Sequence, residues 1–351
     1  MTNFLSQAQK LHQENYVADA HLDLAGEILL RHQAGETDII RTYHLENFRA
    51  AGLDLIMSTI YVDDVALPEP GLKNALLQVA ALNQDLTSVS DDIMLVKTHH
   101  DLEKAKAQNK IAILLYIEGL DFIGTDLSLL DIFYDLGIRG ASLTWSRRNL
   151  LASGCCRAGE KKAIPGGLSD YGYAALKKLD RRSCFIDVSH LNDDGFDDIY
   201  AATSRPFIAT HSNARAIHLS YRNLTDRQIT SLCHRGGLIG INACSLIAGS
   251  YEFGNHIEML ANHVFHIANL VGSHHLCYGF DLCNSYARAE PRRNFRPELF
   301  DCFESHRDIP LLTAALLARG MPENEVIGII GRNLREYLIH FLPKRCSSGE
   351  V

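Results

Sequence analysis

The stretch that decides the fold is Ile111-Ala112-Ile113-Leu114-Leu115-Tyr116-Ile117-Glu118, an apolar run that ends in a carboxylate. An apolar run without polar residues at every second position is typical of a parallel strand that is covered on both faces. Glu118 stands where such a strand would end. The sequence therefore predicts a buried parallel strand that brings an acidic side chain to one edge of a sheet.

Seven further strand-like segments can be counted along the chain, and most of them are also continuous apolar runs. With the first, they occupy residues 17–24, 53–62, 111–118, 138–145, 184–190, 206–211, 238–244 and 275–281. Helical patterns fill the intervals between them. Eight strands alternating with eight helices favour a closed (β/α)8 barrel, a TIM barrel of the α/β class, over an open doubly wound sheet. We expect one catalytic barrel domain over residues 1–351, with a C-terminal helical extension at about 309–343.

The composition limits the class of protein. Of 351 residues, 46% are hydrophobic and 22% charged, and the formal net charge is -8. This balance argues against a nucleic-acid partner and favours a small-molecule substrate. No apolar run reaches the roughly 18 residues of a membrane-spanning helix, and residues 1–14 lack the apolar core of a signal peptide. The nine scattered cysteines, without a C-x-x-C spacing, indicate free thiols. We therefore expect a cytoplasmic protein without a membrane or nucleic-acid partner.

Six side chains that can bind metal stand at the C-terminal ends of these runs. They are His21, Asp23, Glu118, His190, His211 and Asp281. The C-terminal ends of all strands of a barrel meet at one face, so these side chains are expected to converge there. His21 and Asp23 are two residues apart on one strand and therefore point to the same side. The pattern is typical of a metal-dependent barrel enzyme.

Imidazole nitrogen and carboxylate oxygen are ligands that zinc accepts. His21, Asp23, His190 and His211 supply four such groups, and Glu118 can bridge two ions through its two oxygens. Two metal ions about 3.5–4 Å apart lower the pKa of a shared water and stabilise both ends of a hydrolytic transition state. Asp281 would face this site as a carboxylate that accepts and passes on a proton.

Each residue alone also allows a more ordinary interpretation. Asp23 or Asp281 can cap the helix that follows it, and a single histidine after an apolar run is more often a hydrogen-bonded structural residue. The joint placement of the candidates at five strand ends favours the metal site. The sequence contains no G-x-S-x-G, H-E-x-x-H or Walker motif, and no G-x-G-x-x-G after a strand.

A series of motifs in the same order resembles the membrane (renal) dipeptidase family of dinuclear zinc peptidases. The motifs are Asp19-Ala20-His21-Leu22-Asp23, Ile117-Glu118-Gly119, Ile186-Asp187-Val188-Ser189-His190, His211-Ser212-Asn213-Ala214, Arg222-Asn223-Leu224-Thr225-Asp226 and Gly279-Phe280-Asp281. The resemblance covers nearly the whole chain. It implies a (β/α)8 barrel that binds two zinc ions, hydrolyses dipeptides, tolerates a D-residue at their C-terminal position and forms a homodimer.

The resemblance also implies a role for each residue. His21 and Asp23 would hold one zinc ion, His190 and His211 would hold the other, and Glu118 would bind both. Arg222 matches the arginine that grips the C-terminal carboxylate of the substrate, a task that suits the bidentate guanidinium group. Asp281 matches the catalytic carboxylate.

Four residues depart from the family pattern. Trp145 stands where well-known animal members place a histidine near the bond that is cleaved, and indole can donate a hydrogen bond but cannot titrate. We place Trp145 on the substrate side of the site. Cys283 replaces the usual acidic residue two positions after Asp281, and Ala243-Cys244 replace larger aromatic side chains. These differences leave the predicted metal ligands in place and concern substrate preference.

The sequence thus predicts a zinc-dependent dipeptidase in which a hydroxide held between two zinc ions attacks the scissile carbonyl, with Glu118 and Asp281 as catalytic residues. Two alternatives stay open. One is another metal-dependent barrel hydrolase, such as a lactonase or an amidase. The other is a non-catalytic binding protein on the same fold, although such a protein would have no reason to keep five metal ligands.

Overall fold

A computed structural model of the chain describes residues 2–68, 70–156, 164–249, 255–289 and 301–344, in which parallel strands form a barrel. The strands are β1 (Ala18–Leu22), β2 (Leu55–Tyr61), β3 (Ile93–Val96), β4 (Ile111–Glu118), β5 (Ile138–Ser142), β6 (Phe185–Asp187), β7 (Ile208–Ala209), β8 (Leu238–Ile241) and β9 (Leu276–Tyr278). Eight of them pair in the order β1-β2-β4-β5-β6-β7-β8-β9, and every pairing is parallel. The predicted (β/α)8 barrel is confirmed.

Two hydrogen bonds bring the last strand back to the first. Just after β9, the backbone N–H of Phe280 donates to the Asp19 side chain at 3.0 Å, and that of Asp281 donates to the carbonyl of His21 at 3.3 Å. The barrel is nearly closed at this seam. Residues of β1 and residues that follow β9 therefore lie side by side although they are far apart in sequence.

One strand was not predicted, so the chain has more strands than the eight expected, although this strand lies between two helices and keeps the alternation. The four-residue strand β3 pairs with the first half of β4, from Ile93↔Ile111 to Val96↔Leu114. The strand β5 pairs with the second half of β4, starting at Leu115↔Ile138. The eight residues of β4 are long enough to hold both neighbours along one edge, which leaves β3 outside the ring.

The helices surround the barrel and follow its strands. They are α1 (Thr2–Glu14), α2 (Leu24–Gln33), α3 (Leu45–Ala51), α4 (Gly71–Ser88), α5 (His99–Ala107), α6 (Leu129–Leu136), α7 (Asp170–Arg181), α8 (Asp193–Ala202), α9 (Asp226–His234), α10 (Ser245–Ala248), α11 (His256–Val271), α12 (Asn284–Ala289), α13 (Pro310–Ala318), α14 (Glu323–Ile327) and α15 (Asn333–Ile339). This exceeds the eight helices expected, because α1 precedes the barrel and short helices such as α10 and α12 lie in loops after strands.

Side-chain capping fixes where several of these helices begin. Asn192 accepts a hydrogen bond from the backbone N–H of Gly195 at the start of α8. Thr225 and Gln228 form a reciprocal capping box at the start of α9. Such caps satisfy backbone N–H groups that the helix itself leaves without a partner. They set the length of the loops that lead from β6 and β7 into these helices.

The C-terminal helix α15 packs against the interior of the barrel at the end where the strands begin. Its Tyr337 and neighbouring Phe341 belong to the same buried cluster as Ala18 and Phe185 on the strands. The rings of Phe185 and Phe341 meet edge to face with centroids 6.3 Å apart, a favourable aromatic geometry. The strand-start end of the barrel is thereby filled with apolar side chains, and the polar residues collect at the opposite mouth.

Candidate metal centre

The six predicted side chains come together at the mouth of the barrel where the strands end. Ligand atoms lie within 4.8 Å of one another in three overlapping groups, which are His21, Asp23 and Glu118; Glu118, His190 and His211; and His21, His211 and Asp281. A fourth group joins Asp23 and Asp281 to Cys283. The exposed fraction of His21, Glu118, His190 and His211 is at most 5%. The structure therefore assembles a largely buried cluster of metal-binding groups from five different strand ends and their loops.

The three histidines all turn Nε2 toward one oxygen of Glu118. The Nε2 atoms of His190, His211 and His21 lie 2.8, 3.2 and 3.8 Å from Oε1 of Glu118. The Nε2 atoms of His190 and His211 are only 2.9 Å apart. A neutral imidazole has one N–H donor and one lone pair that can accept. The short distances between these nitrogen and oxygen atoms therefore place several acceptor atoms around a single point.

The other ring nitrogen of each histidine is held by a hydroxyl group. Nδ1 of His21 is hydrogen-bonded to the Tyr116 hydroxyl. Nδ1 of His190 lies 2.7 Å from Oγ of Ser146, and Nδ1 of His211 lies 2.8 Å from Oγ1 of its neighbour Thr210. Metal-binding histidines commonly use their second nitrogen in this way, because the contact fixes the ring orientation and frees Nε2 for the metal.

A buried aspartate positions His190 and His211 together. Asp187 accepts hydrogen bonds from the backbone N–H and the hydroxyl of Ser189 at 3.0 and 2.7 Å. It also accepts from the backbone N–H and the hydroxyl of Thr210 at 3.0 and 2.7 Å. These bonds end β6 at Asp187 and turn the chain, so His190 lies in the loop and not on the strand over 184–190 that was predicted. The same aspartate ties the ends of β6 and β7 to each other.

A second buried aspartate has the same function at the barrel seam. Asp19 accepts from the backbone N–H of His21 at 3.2 Å and of Phe280 at 3.0 Å. Its other oxygen lies 2.9 Å from Nε2 of His306. Gly279, directly after β9, also lies close to the end of β7, because a Cβ at that position would lie 1.8 Å from the Thr210 carbonyl oxygen. The seam thus brings His21 next to the residues that follow β9.

Neither Asp23 nor Asp281 caps a helix through its side chain, which removes the ordinary interpretation of both residues. Asp23 precedes α2 but makes no capping hydrogen bond, and its Oδ1 accepts a hydrogen bond from the Thr59 hydroxyl. The backbone N–H groups of Cys283 and Asn284, at the start of α12, donate to Asp301 instead, both at 2.7 Å.

Asp281 occupies a strained backbone position at the edge of the cluster. Its φ of 57° lies in the left-handed region, which residues other than glycine rarely adopt and which is frequent at functional sites. Oδ1 of Asp281 lies 3.4 Å from Nε2 of His21, and Oδ2 accepts a hydrogen bond from the Asn242 side chain at 3.0 Å. The carboxylate is thus held facing the histidines.

Arg222 lies behind the loops that carry two of the histidines. Its guanidinium group donates to the carbonyl of Ser189 and to that of His211 at 3.1 Å, and the residue is 3% exposed. Five N–H donors are available on a guanidinium group, so these two bonds leave donors for a further acceptor. The positive charge acts on the whole cluster and, after the larger effect of burial, contributes to the lowered pKa of His21.

Trp145 forms one wall of the cluster. Its half-buried ring stacks on His190 with centroids 5.6 Å apart and an interplanar angle of 29°. The Tyr61 ring lies on it at 5.3 Å, and the Arg147 guanidinium carbon is 5.3 Å from its centroid. The structure therefore places this predicted substrate-side residue in contact with a candidate metal ligand.

The electrostatics of the cluster favour a bound cation. Burial lowers the pKa of His21, His190 and His211 well below the usual value, so these rings are neutral, the form that binds metal. Burial, and then the charges of Asp23 and Asp281, raise the pKa of Glu118 well above its usual range. A divalent cation reverses this preference, because it is the largest local charge and stabilises a carboxylate beside it.

The spacing of the donor atoms also fits a metal. Zinc binds nitrogen and oxygen at about 2.0–2.1 Å, so two such ligands in a tetrahedral site are separated by roughly 3.3 Å. The measured separations between histidine Nε2 atoms and the carboxylate oxygens of Glu118 and Asp281 range from 2.8 to 3.8 Å. The residues present fit a divalent metal in both chemistry and distance.

Sequence reasoning missed the groups that hold the candidate ligands. The position of Tyr116 at the site could have been predicted, since it stands two residues before Glu118 on β4 and therefore lies on the same face of the strand. Ser146 and Thr59 gave no such signal. They come from segments far from His190 and Asp23 in sequence, and only the fold brings them into contact.

The sequence model of the membrane dipeptidase family (peptidase family M19) matches residues 5–336. Dipeptidase tcpJ of Claviceps purpurea is 26% identical over 269 residues, which is 77% of this chain and 60% of that protein. Dipeptidase verJ of Clonostachys rogersoniana is 25% identical over 263 residues, 75% of this chain and 64% of that protein. The chain therefore spans less than two thirds of the length of these two relatives.

Solved structures share the fold over nearly the whole chain. The dipeptidase AC, a metallo peptidase of family M19, superposes with a TM-score of 0.80 at 25% identity, covering 94% of this chain and 99% of that one. A metallo peptidase from Rhodobacter sphaeroides, solved with a phosphinate mimic of L-Ala-D-Ala, gives a TM-score of 0.81 at 24% identity, covering 93% and 99%. Among the described residues, no helix combines the length and the apolar character needed to cross a bilayer.

Proposed function

The chain belongs to the membrane dipeptidase family, peptidase family M19, and from this premise we propose that it is a metal-dependent dipeptidase. Its substrates would be small dipeptides, including those with a D-residue at the C-terminal position. The observation that carries the proposal is the convergence of three neutral histidine Nε2 atoms on Oε1 of Glu118.

We propose that the centre holds two divalent ions, most simply zinc. His21 and Asp23 would bind one ion, His190 and His211 the other, and Glu118 both. When bound, such a pair supplies a hydroxide nucleophile from water at neutral pH and polarises the scissile carbonyl. The hydroxyl groups of Tyr116, Ser146 and Thr210 would keep the three rings oriented for ligation.

Arg222 would bind the C-terminal carboxylate of the dipeptide. Its guanidinium group is buried and fixed by two backbone carbonyls, so little side-chain entropy is lost when a further acceptor arrives. A planar fork matches a carboxylate in two parallel hydrogen bonds. This contact would select substrates with a free carboxylate and align the peptide bond with the metal centre.

Asp281 would move the proton that the leaving amine needs. Its Oδ1 faces His21 and its Oδ2 accepts from Asn242, so the carboxylate is fixed in position at the edge of the site. Positioned acid–base groups of this kind contribute typically about 10²–10⁴-fold to the rate. Trp145, stacked on His190, would line the substrate side and can donate one hydrogen bond there.

Hydrolysis assays with three substrate panels test this proposal. We expect turnover of free-acid dipeptides of the Ala–D-Ala type, loss of that turnover after treatment with a chelator, and its return when zinc is added. Turnover of lactones or simple amides in preference to dipeptides would support the lactonase or amidase alternative. Stoichiometric metal without any turnover would support a binding protein.

We also propose that the protein acts as a homodimer in the cytoplasm. The eight cysteines of the described residues form no disulfide, as is usual in a reducing compartment. Light scattering on the purified protein tests the dimer, and a monomer at micromolar concentration would contradict it.

A further inference from the structure

A thiol lies at the edge of the candidate metal centre opposite His190. Sγ of Cys283 is 3.5 Å from Oδ1 and 3.4 Å from the carbonyl oxygen of Asp281. Ligand atoms of Cys283, Asp281 and Asp23 all lie within 4.8 Å of one another. We call these three residues the acidic pole, and His190, His211 and Glu118 the imidazole pole.

The backbone around Cys283 is fixed in this position. Its N–H donates to Asp301 at 2.7 Å, and the helix α12 that follows is tied to α2. The Ser285 hydroxyl donates to Glu27 at 2.6 Å, and Arg31 donates to the Ser285 carbonyl at 3.2 Å. Because α2 also follows directly on Asp23, these contacts hold the thiol at a constant distance from the acidic pole's carboxylates.

The charges around the thiol suit a cation. The carboxylates of Asp281 and Asp23 lie beside the sulfur, and the Asp301 carboxylate accepts from the Cys283 backbone N–H. The positive charge of Arg222 acts on Asp281 from the far side of the centre. A metal ion bound among these groups would stabilise a thiolate and the carboxylates together.

The geometry fits zinc ligation by sulfur. With bonds of about 2.3 Å to sulfur and 2.0 Å to oxygen, two ligands of a tetrahedral zinc ion are roughly 3.5 Å apart. An ion shared by Cys283 and Asp23 needs their ligand atoms close together, and the Cys283 sulfur lies within 4.8 Å of an Asp23 carboxylate oxygen.

We propose that Cys283 is a thiolate ligand of the ion held at Asp23, so that this metal centre binds one of its ions through sulfur. The proposal rests on the metal site of the proposed function. On binding, the S–H bond breaks, its proton passes to solvent and the sulfur electron pair forms the bond to the metal. Soft thiolate favours zinc, cadmium and cobalt over manganese and magnesium, so the acidic pole would select its ion differently from the imidazole pole.

An S–H hydrogen bond from Cys283 to Asp281 would produce the same contact without any ligation. Cobalt absorption separates the two cases. Bound Co²⁺ gives visible d–d bands whatever its ligands are, whereas a near-ultraviolet charge-transfer band appears only with a thiolate ligand. The d–d bands thus report on the metal site, and the charge-transfer band reports on Cys283.

The test is titration of metal-free protein with Co²⁺, comparing the wild type with Cys283→Ser and Cys155→Ser. Cys155 is a matched control, because it is a buried thiol near the imidazole pole whose Sγ lies 3.7 Å from Oγ of Ser146. We expect the charge-transfer band in the wild type and in Cys155→Ser, and its loss in Cys283→Ser. Visible bands without a charge-transfer band in the wild type would overturn the thiolate and leave the metal site standing. If the protein bound no cobalt at all, both the thiolate ligand and the proposed metal site would be overturned.

A second variant keeps the test decisive if Cys283→Ser does not fold. Cys283→Asp replaces the thiol by a carboxylate, which offers oxygen in place of sulfur. We expect it to bind two ions and to lower the ratio of Cd²⁺ to Mn²⁺ affinity by about tenfold or more. An unchanged ratio in a folded, metal-binding variant would contradict the proposal.

Discussion

Buried histidines at the barrel mouth differ from buried histidines elsewhere in one respect. His12 lies 2.9 Å from the Ala51 carbonyl oxygen through Nδ1 and 2.7 Å from the Thr313 hydroxyl through Nε2. His263 accepts from the N–H of Ala214 at 3.2 Å through Nδ1, and its Nε2 lies 3.0 Å from the Ala248 carbonyl oxygen. Each of these rings has a well-matched protein partner at both nitrogens.

In the three histidines at the mouth of the barrel, only Nδ1 has a well-matched hydrogen-bond partner of this kind, and that partner is a hydroxyl group. The Nε2 atoms of His190 and His211 face each other across 2.9 Å and share Oε1 of Glu118. Burial lowers the pKa of histidines in both regions, so a lowered pKa does not distinguish a structural histidine from a metal ligand. What distinguishes the two kinds of histidine is the hydrogen-bond partner of the second ring nitrogen.

The largest effect is expected from Glu118→Gln. This change removes the charge that both ions would share, so kcat/KM for a dipeptide should fall by more than about 10³-fold, equivalent to several kcal/mol. Metal analysis should show loss at both sites, whereas His21→Ala should chiefly weaken one.

Asp85→Asn is the control for Glu118→Gln. Asp85 is also buried, but it accepts hydrogen bonds from the backbone N–H groups of Ile39 and Ile40 and lies 3.1 Å from Nε2 of His32. Its replacement should lower stability and leave the metal content unchanged. Equal metal loss in both variants would mean that Glu118 is not specific to the centre.

The next effect concerns Asp281→Asn, which keeps the shape of the side chain but cannot carry a proton near neutral pH. We expect kcat to fall by roughly 10²–10⁴-fold with little change in KM and with the metal content unchanged. Loss of one metal equivalent would make Asp281 a ligand and not a proton carrier. An unchanged kcat would remove it from the mechanism.

Arg222→Lys should act mainly on KM, because a bidentate fork becomes a point charge. We expect KM for a free-acid dipeptide to rise by roughly 10–100-fold, the usual worth of hydrogen bonds to charged groups. The control is the same dipeptide with an amidated C-terminus, which should be a poor substrate for both proteins. Equal turnover of the acid and the amide by the wild type would contradict this role.

The smallest effect on turnover is expected outside the centre, at His12, where the change is in stability. Burial lowers its pKa from 6.5 to about 4 in the folded protein. Its folded pKa lies below the unfolded value, so the stability it contributes is present above pH 6.5 and is lost as the pH falls toward 4. The loss amounts to about 3 kcal/mol at most. Urea unfolding at pH 7 and pH 4.5 should show a smaller pH dependence for His12→Gln than for the wild type, and the same dependence in both would contradict the assignment.

The eight barrel strands could be predicted because most of them are continuous apolar runs. The six candidate residues could be predicted because each follows such a run closely. The strand β3 escaped prediction because it is short, and its Met94 and Leu95 are only half-buried. It also lies outside the ring, so the count of barrel strands did not require it.

The detailed geometry of the centre depends on contacts between residues that are far apart in sequence, and such contacts cannot be read from the sequence. The predicted strand over 184–190 ends early because the Asp187 side chain accepts a hydrogen bond from the backbone N–H of Ser189. Ser146 meets His190, and Thr59 meets Asp23, only after the barrel closes. Cys283 was noticed as a departure from the family pattern, but its distance to Asp281 could come only from the fold.

The most direct test of the metal centre is a zinc titration of metal-free protein during hydrolysis of an Ala–D-Ala-type dipeptide. The convergence of the histidine Nε2 atoms on Glu118 predicts no turnover without metal. Activity should rise with added zinc, saturate at two equivalents per chain, and stay absent in Glu118→Gln at the same zinc concentrations. Full turnover by the metal-free protein, or zinc binding that leaves turnover unchanged, would contradict the account.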